Sequence, residues 1–157
     1  LRILAAQQKT IPIVNYNDPV SDEENRNMEL AIRRSHGDQV VECVDNDETA
    51  AVIANLVHAK KLVLMTSTEG SYRDPADPKT LVEQVTAKSM EELEEKVRQL
   101  QESCVGASRA GANGAKAKLE YALKSARQGT MVIIGHARHR LSDLVEGRVA
   151  CTRIGLE

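Results

Sequence analysis

The chain has 157 residues, with Lys+Arg 21 against Asp+Glu 23 for a formal charge of −2, and it is 41% hydrophobic. That length suits one domain with a buried core, and the apolar content argues against disorder. No stretch approaches the ~18 apolar residues of a membrane span. There is no basic excess, and the only aromatics able to stack bases are Tyr16, Tyr72 and Tyr121, which argues against membrane insertion and sequence-general nucleic-acid binding.

In chain order, Ile11-Pro12-Ile13-Val14 reads as a short buried strand, followed by a turn at Asn17-Asp18-Pro19. The stretch from Ser21 to Gly37 is polar and gives no clear element, and Val40, Val41, Cys43 and Val44 suggest a second strand. Asp45-Asn46-Asp47 breaks that strand and can cap a helix expected over Glu48 to Lys61, with Val52, Ile53, Leu56 and Val57 on its apolar face. Leu62-Val63-Leu64-Met65 is a strand apolar enough to be covered on both sides. A turn-rich loop runs from Thr66 to Lys79. Ser89-x-x-Glu92 is a capping box, and Met90, Leu93, Val97 and Leu100 recur at helical spacing. The segment Gly106 to Gly114 is glycine-rich and opens a helix expected from about Ala115 to Arg127, closed at Gly129. A buried strand over Met131 to Ile134, a turn or short helix near Ser142 to Val145, and a strand near Cys151 to Ile154 complete the chain. Strands alternating with helices predict an α/β three-layer αβα sandwich with a mostly parallel sheet. Ligands of such sheets sit beyond the carboxyl ends of the strands. That makes Asn15 to Asp18, Asp45 to Asp47, Thr66 to Gly70 and the residues after Gly135 the places to look.

Taken singly, these places have ordinary readings. Gly111-Ala112-Asn113-Gly114 could present helix N–H groups to a phosphate, with Lys116 and Lys118 following, but alone it is better read as a loop capping a helix. It is not a P-loop, because Ala112-Asn113 stands where Lys-Ser/Thr is needed. Asp45-Asn46-Asp47 alone is a helix cap. His136 and His139 around Arg138 lack further metal ligands nearby and read as a solvated basic loop. Cys43, Cys104 and Cys151 form no C-x-x-C pair and no disulfide framework, so they read as reduced thiols of a cytoplasmic protein. Leu1-Arg2-Ile3-Leu4, soon followed by Gln7-Gln8-Lys9, is too short for a signal peptide.

The order of the motifs says more than any one of them. IPIVNYND, VDND opening a helix, LVLMTSTEGSYRDP, GANGAKAKL, VIIGH and LVEG together resemble the amino-acid kinase family, nearest its glutamate 5-kinase branch and the kinase part of pyrroline-5-carboxylate synthases. That family carries N-x-N-D, G-D-N-D, T-D-x-x-G-L-Y-x-x-D-P and G-T-G-G-M-x-T-K-L in this order. The resemblance implies that ATP, with Mg2+, phosphorylates the side-chain carboxylate of glutamate, giving glutamyl 5-phosphate on the way to proline. It implies that Asp18 and Asn46 contact the amino-acid substrate and that Thr66 and Ser67 lie by the nucleotide. Gly111, Ala112, Asn113, Gly114, Ala115, Lys116, Ala117 and Lys118 would cradle the ATP phosphates, with Lys118 the catalytic charge on the transferring group. No metal-ligating residue is assigned.

The likeness covers Ile11 to Thr152. It also implies that residues 1–157 are one kinase-like domain lacking its N-terminal substrate- and phosphate-binding portion, so that the chain by itself is inactive. The expected partners are small-molecule substrates, that missing portion and further copies of the chain, with no nucleic acid or membrane. Val44 stands where the family has glycine, Ser67 where it has an acid, and Ala112-Asn113 where it has Thr-Gly. These differences keep two alternatives open: a non-catalytic nucleotide- or anion-binding relative, and a family kinase with another acceptor, such as a nucleoside monophosphate.

Overall fold

The computed structural model describes residues 11–14, 46–103 and 112–157. The expected turn at Asn17–Pro19, the strand near Val40–Val44, and Asp18, Cys43, Asp45, Cys104 and Gly111 lie outside these residues.

The first described helix, α1, covers Asn46–Leu56. It starts at the D-N-D turn and stops short of Lys60 and Lys61, because His58 takes a left-handed φ of 51° and the Ala59 N–H turns back to the Ala54 carbonyl at 2.9 Å. Strand β1 follows over Lys61–Thr66. A loop containing a 3-10 turn at Pro78–Thr80 leads to β2, Gln84–Ala87. This strand is absent from the sequence reading. Only four residues long, it carries its alternation in Val85 and Ala87, both buried, too short a pattern to stand out.

Helix α2 spans Met90–Ser103, and the Ser89 hydroxyl accepts the Glu92 N–H at 3.2 Å, as the capping motif predicts. Leu93, Val97 and Leu100 form its buried stripe; burying each stabilises the fold by roughly 1.5–3 kcal/mol. Helix α3, Ala112–Ala126, begins three residues before the expected Ala115, so Gly114 lies within its first turn. Strand β3 runs over Met131–His136, two residues beyond Ile134. The short helix α4, Leu141–Glu146, and strand β4, Cys151–Leu156, close the fold.

The sheet order is β1-β3-β4-β2. β1 pairs with β3 and β2 with β4 in parallel, while β3 and β4 are antiparallel. Leu64, Val132, Ile134, Ile154, Val85 and Ala87 face the helix layer, meeting Leu93, Val97, Leu119, Ala122 and Leu123. The alternate residues Val63, Ile133 and Cys151 face the opposite side and pack with Leu144 of α4. Period-2 alternation thus feeds two cores, and the result is the expected three-layer α/β sandwich with a mostly parallel sheet.

One expectation fails. Ile11–Val14 is not a strand: it has no regular structure, and Ile11 and Ile13 are 88% and 95% exposed. An apolar run becomes a strand only when a neighbouring backbone completes its ladder, and no described strand pairs with this segment.

Ser125 on α3 is fully buried, yet its hydroxyl has no hydrogen-bond partner among the described residues. Ser125→Ala removes that desolvated group and improves helix propensity. It is expected to stabilise the fold by about 1 kcal/mol, a rise in thermal midpoint of roughly 2–4 °C. A lowered midpoint would show that the hydroxyl is satisfied in solution.

Candidate functional site

Topology brings the informative residues to one edge of the sheet. α1 turns back into β1 and α3 into β3, so each helix starts at the carboxyl end of the strand it precedes. The two turns are bound together: the Thr130 hydroxyl donates to the Ala59 carbonyl at 2.8 Å, and the Met131 N–H to the Lys60 carbonyl at 3.0 Å. Because β4 runs against β3, its first residue also reaches this edge, with Cys151 opposite Gly135.

At the helix starts, Lys118 Nζ lies 2.5 Å from Asp47 Oδ2, with side chains only 23% and 17% exposed. The pair joins the D-N-D turn to the glycine-rich helix, two motifs 71 residues apart. Asn46, the first residue of α1, is exposed beside it. Asp47 is the residue the sequence reading missed. Its signal is present in the doubled acid of the turn, but a helix cap explains that acid equally well until Lys118 is placed against it.

Lys118 is the seventh residue of α3, so its Cα lies about 9 Å along the axis from the start of the helix. A lysine's long side chain leans toward the helix N-terminus, which is how its ammonium reaches Asp47. Gly114 and Ala115 are exposed, and a Cβ on Gly114 would meet no described residue within 4 Å. The Lys116 carbonyl accepts from Gln101 Nε2 at 3.1 Å, tying α3 to α2, and Lys116 and Ala117 are half-buried. The side chains of Ala112 and Asn113 lie outside the described set. An exposed first helical turn with the Lys118 ammonium nearby is an arrangement that can receive a polyphosphate.

Thr66 and Ser67 stand apart from this pair, at the end of β1. Thr66 Oγ1 accepts the Thr68 N–H at 2.8 Å, forming a local turn, while Ser67 is exposed. Thr66 lies opposite His136, and its carbonyl accepts the Ala137 N–H at 2.8 Å. Further along, Gly70 is pressed onto β4. A Cβ there would sit 2.4 Å from Thr152 Oγ1 and 2.9 Å from the Thr152 backbone nitrogen. The Ser71 N–H donates to that same hydroxyl at 2.8 Å, and Tyr72 bridges to Leu81.

The loop after β3 is solvent-exposed at Ala137, Arg138 and Arg140, as expected, but it is also tied to the loop after β1. Glu69 has two side-chain partners there: it pairs with Arg138, and its Oε2 lies 2.7 Å from His139 Nε2. Among the described residues no group of three or more His, Cys, Asp or Glu could hold a metal ion, and no helix is long and apolar enough to cross a membrane.

A comparison with known families matches residues 1–136 to the amino acid kinase family. The chain belongs to that family. Among curated proteins it is similar to the glutamate 5-kinase of Geobacillus kaustophilus, 33% identical over 149 residues, covering 93% of this chain and 34% of that protein. The glutamate 5-kinase of Gloeobacter violaceus is 32% identical over 94% of the chain and 35% of its own length. A shorter likeness, 46% over 59 residues, joins it to the acetylglutamate kinase of Methanopyrus kandleri, over 38% of this chain and 24% of that one. The chain spans about a third of the length of the glutamate 5-kinases it matches first. As a member of the family it carries that family's scaffold, with the Lys118–Asp47 pair at the edge where α1 and α3 start.

Proposed function

We propose that the protein containing this chain is a cytoplasmic kinase that transfers the γ-phosphoryl group of ATP to the side-chain carboxylate of glutamate. The product, glutamyl 5-phosphate, leads toward proline. The observation that carries this reading is the 2.5 Å contact between Lys118 and Asp47, which ties the turn expected to meet the acceptor to the helix expected to meet the phosphates.

In the reaction a glutamate carboxylate oxygen attacks the γ-phosphorus, the bond to the β,γ-bridging oxygen breaks, and ADP leaves with that electron pair. ATP enters as its magnesium complex, so the ion is part of the substrate. Lys118 supplies positive charge to the transferring group, where charge stabilisation and positioning provide most of the rate. Asp47 orients Lys118 and keeps its ammonium at the seam between the two ligands. The first turn of α3, with Gly114 and Ala115 exposed, receives the phosphates, and Thr66 and Ser67 border the nucleotide. Asn46 at the start of α1 and Asp18 recognise the amino acid. Residues beyond this chain complete the domain and its second phosphate contact, and the assembled protein is a homo-oligomer that acts on small molecules, not on nucleic acid or membranes.

A second reading keeps the chemistry and changes the acceptor. The local likeness to an acetylglutamate kinase supports it. Both are tested by one assay: ADP release by the full-length protein with glutamate, N-acetylglutamate or a nucleoside monophosphate as acceptor. Turnover that depends on glutamate is expected; turnover with only another acceptor transfers the assignment, and none with any acceptor favours a non-catalytic relative. Within that assay, Asn46→Ala is expected to raise the acceptor KM by about tenfold, the scale of one lost polar contact, and to leave the KM for ATP unchanged. A loss of ATP affinity instead would place Asn46 on the nucleotide.

A further inference from the structure

We propose that Glu69 is a positioning residue for the nucleotide, fastening the loop after β1 to the loop after β3. This rests on the reading above that Thr66 and Ser67 border ATP.

The loop after β1 is tied at two places that do not involve Glu69. At its root the Thr66 carbonyl accepts the Ala137 N–H at 2.8 Å, and at its far side the Ser71 N–H donates to Thr152 Oγ1 at 2.8 Å. Between them Ser67 and Thr68 are exposed, and among the described residues the Thr68 hydroxyl bonds to Thr66 and Gly70. The carboxylate of Glu69 is what joins this span to the next strand's loop. It is 18% exposed and lies between two donors: Arg138, 63% exposed, and His139, 21% exposed.

The receiving loop is itself set. The Arg138 N–H donates to His136 Nδ1 at 3.0 Å, and the His139 N–H to the His136 carbonyl at 3.1 Å. His136 is in register with Thr66. A shielded carboxylate with two charge-assisted partners on a rigid neighbour holds its own loop in one place. Here that place is the span carrying Ser67, beside the carboxyl ends of two parallel strands, where ligands of such sheets bind.

The fastening is separate from the Lys118–Asp47 pair, which belongs to the helix starts. Loss of Glu69 therefore acts on nucleotide binding and not on the chemical step or the acceptor. In the full-length protein, Glu69→Gln keeps the size of the side chain and removes its charge. It is expected to raise the KM for ATP by about tenfold, the scale of one charge-assisted contact, with kcat and the glutamate KM unchanged. Arg138→Ala is expected to do the same, and the double variant to be no worse than the more affected single, since both remove one joint.

A purely structural role gives a different pattern: less active protein, a lower apparent kcat and an unaltered KM for ATP. That pattern, or single effects that multiply in the double variant, overturns the proposal. Wild-type protein that neither binds nor turns over ATP overturns the functional reading as well. Wild-type protein that uses ATP, with a Glu69→Gln variant of unchanged KM, overturns this inference alone.

Discussion

Lys118→Ala is expected to lower the kcat of the full-length protein by about 10²–10³-fold, the usual cost of removing one preorganised charge from a transition state. The dissociation constant for ATP should change far less, because charge on the transferring phosphoryl group develops most fully as the group moves. The ammonium sits 2.5 Å from Asp47 in a pair whose members are 23% and 17% exposed, so water does little to screen it. Asp47→Asn is the companion test. It keeps a hydrogen-bonding partner and removes the opposing charge, and should lower kcat with a smaller effect on either KM. Single-turnover kinetics with separate equilibrium ATP binding distinguish the cases. Equal losses in binding and turnover for Lys118→Ala would mean that the lysine only holds the nucleotide.

Gly70→Ala is expected to destabilise the fold strongly. The new methyl group would lie 2.4 Å from the hydroxyl of Thr152 and 2.9 Å from its backbone nitrogen. The hydroxyl could rotate away, but doing so gives up the hydrogen bond from the Ser71 N–H, and the backbone nitrogen belongs to a central strand that cannot retreat. Thr152 is fully buried, which leaves no room for compensation. Overpacking of this kind costs about 1–3 kcal/mol, and the lost hydrogen bond adds roughly 1 kcal/mol. The thermal midpoint should fall, and the KM for ATP should rise because the loop leaves β4. Combining Gly70→Ala with Thr152→Ala should recover part of the stability, since the nearer of the two clashes is gone. A Gly70→Ala protein as stable as wild type would show that the loop does not sit on β4.

Much of this protein was legible in the residues alone. The apolar strands near Leu62–Met65 and Met131–Ile134, the Ser89 cap of α2 and the alternation of helices with strands are local patterns. Each follows from side-chain period and capping chemistry, which act over a few residues. The order of the motifs likewise carried the family, and the match over residues 1–136 agrees with it. Those patterns determined the fold class and named Lys118, Asn46, Thr66 and the small residues ahead of Lys118 as the ones to place.

The tertiary structure alone decided which of them meet. Lys118 and Asp47 are 71 positions apart, and each has an adequate local explanation, as a surface lysine and as a helix cap, until the packing of α1 against α3 brings their charges together. Glu69 and the histidine loop are 70 positions apart. Their pairing depends on β1 and β3 being neighbours in the sheet, which no local period encodes. β2 and Ile11–Val14 mark the same boundary from opposite sides. Four modest residues become a strand because β4 offers a ladder, while four strongly apolar ones have no described strand to pair with. A strand is completed by its neighbour's backbone, and a charged site by the group across from it, so both are decided only when the chain has folded.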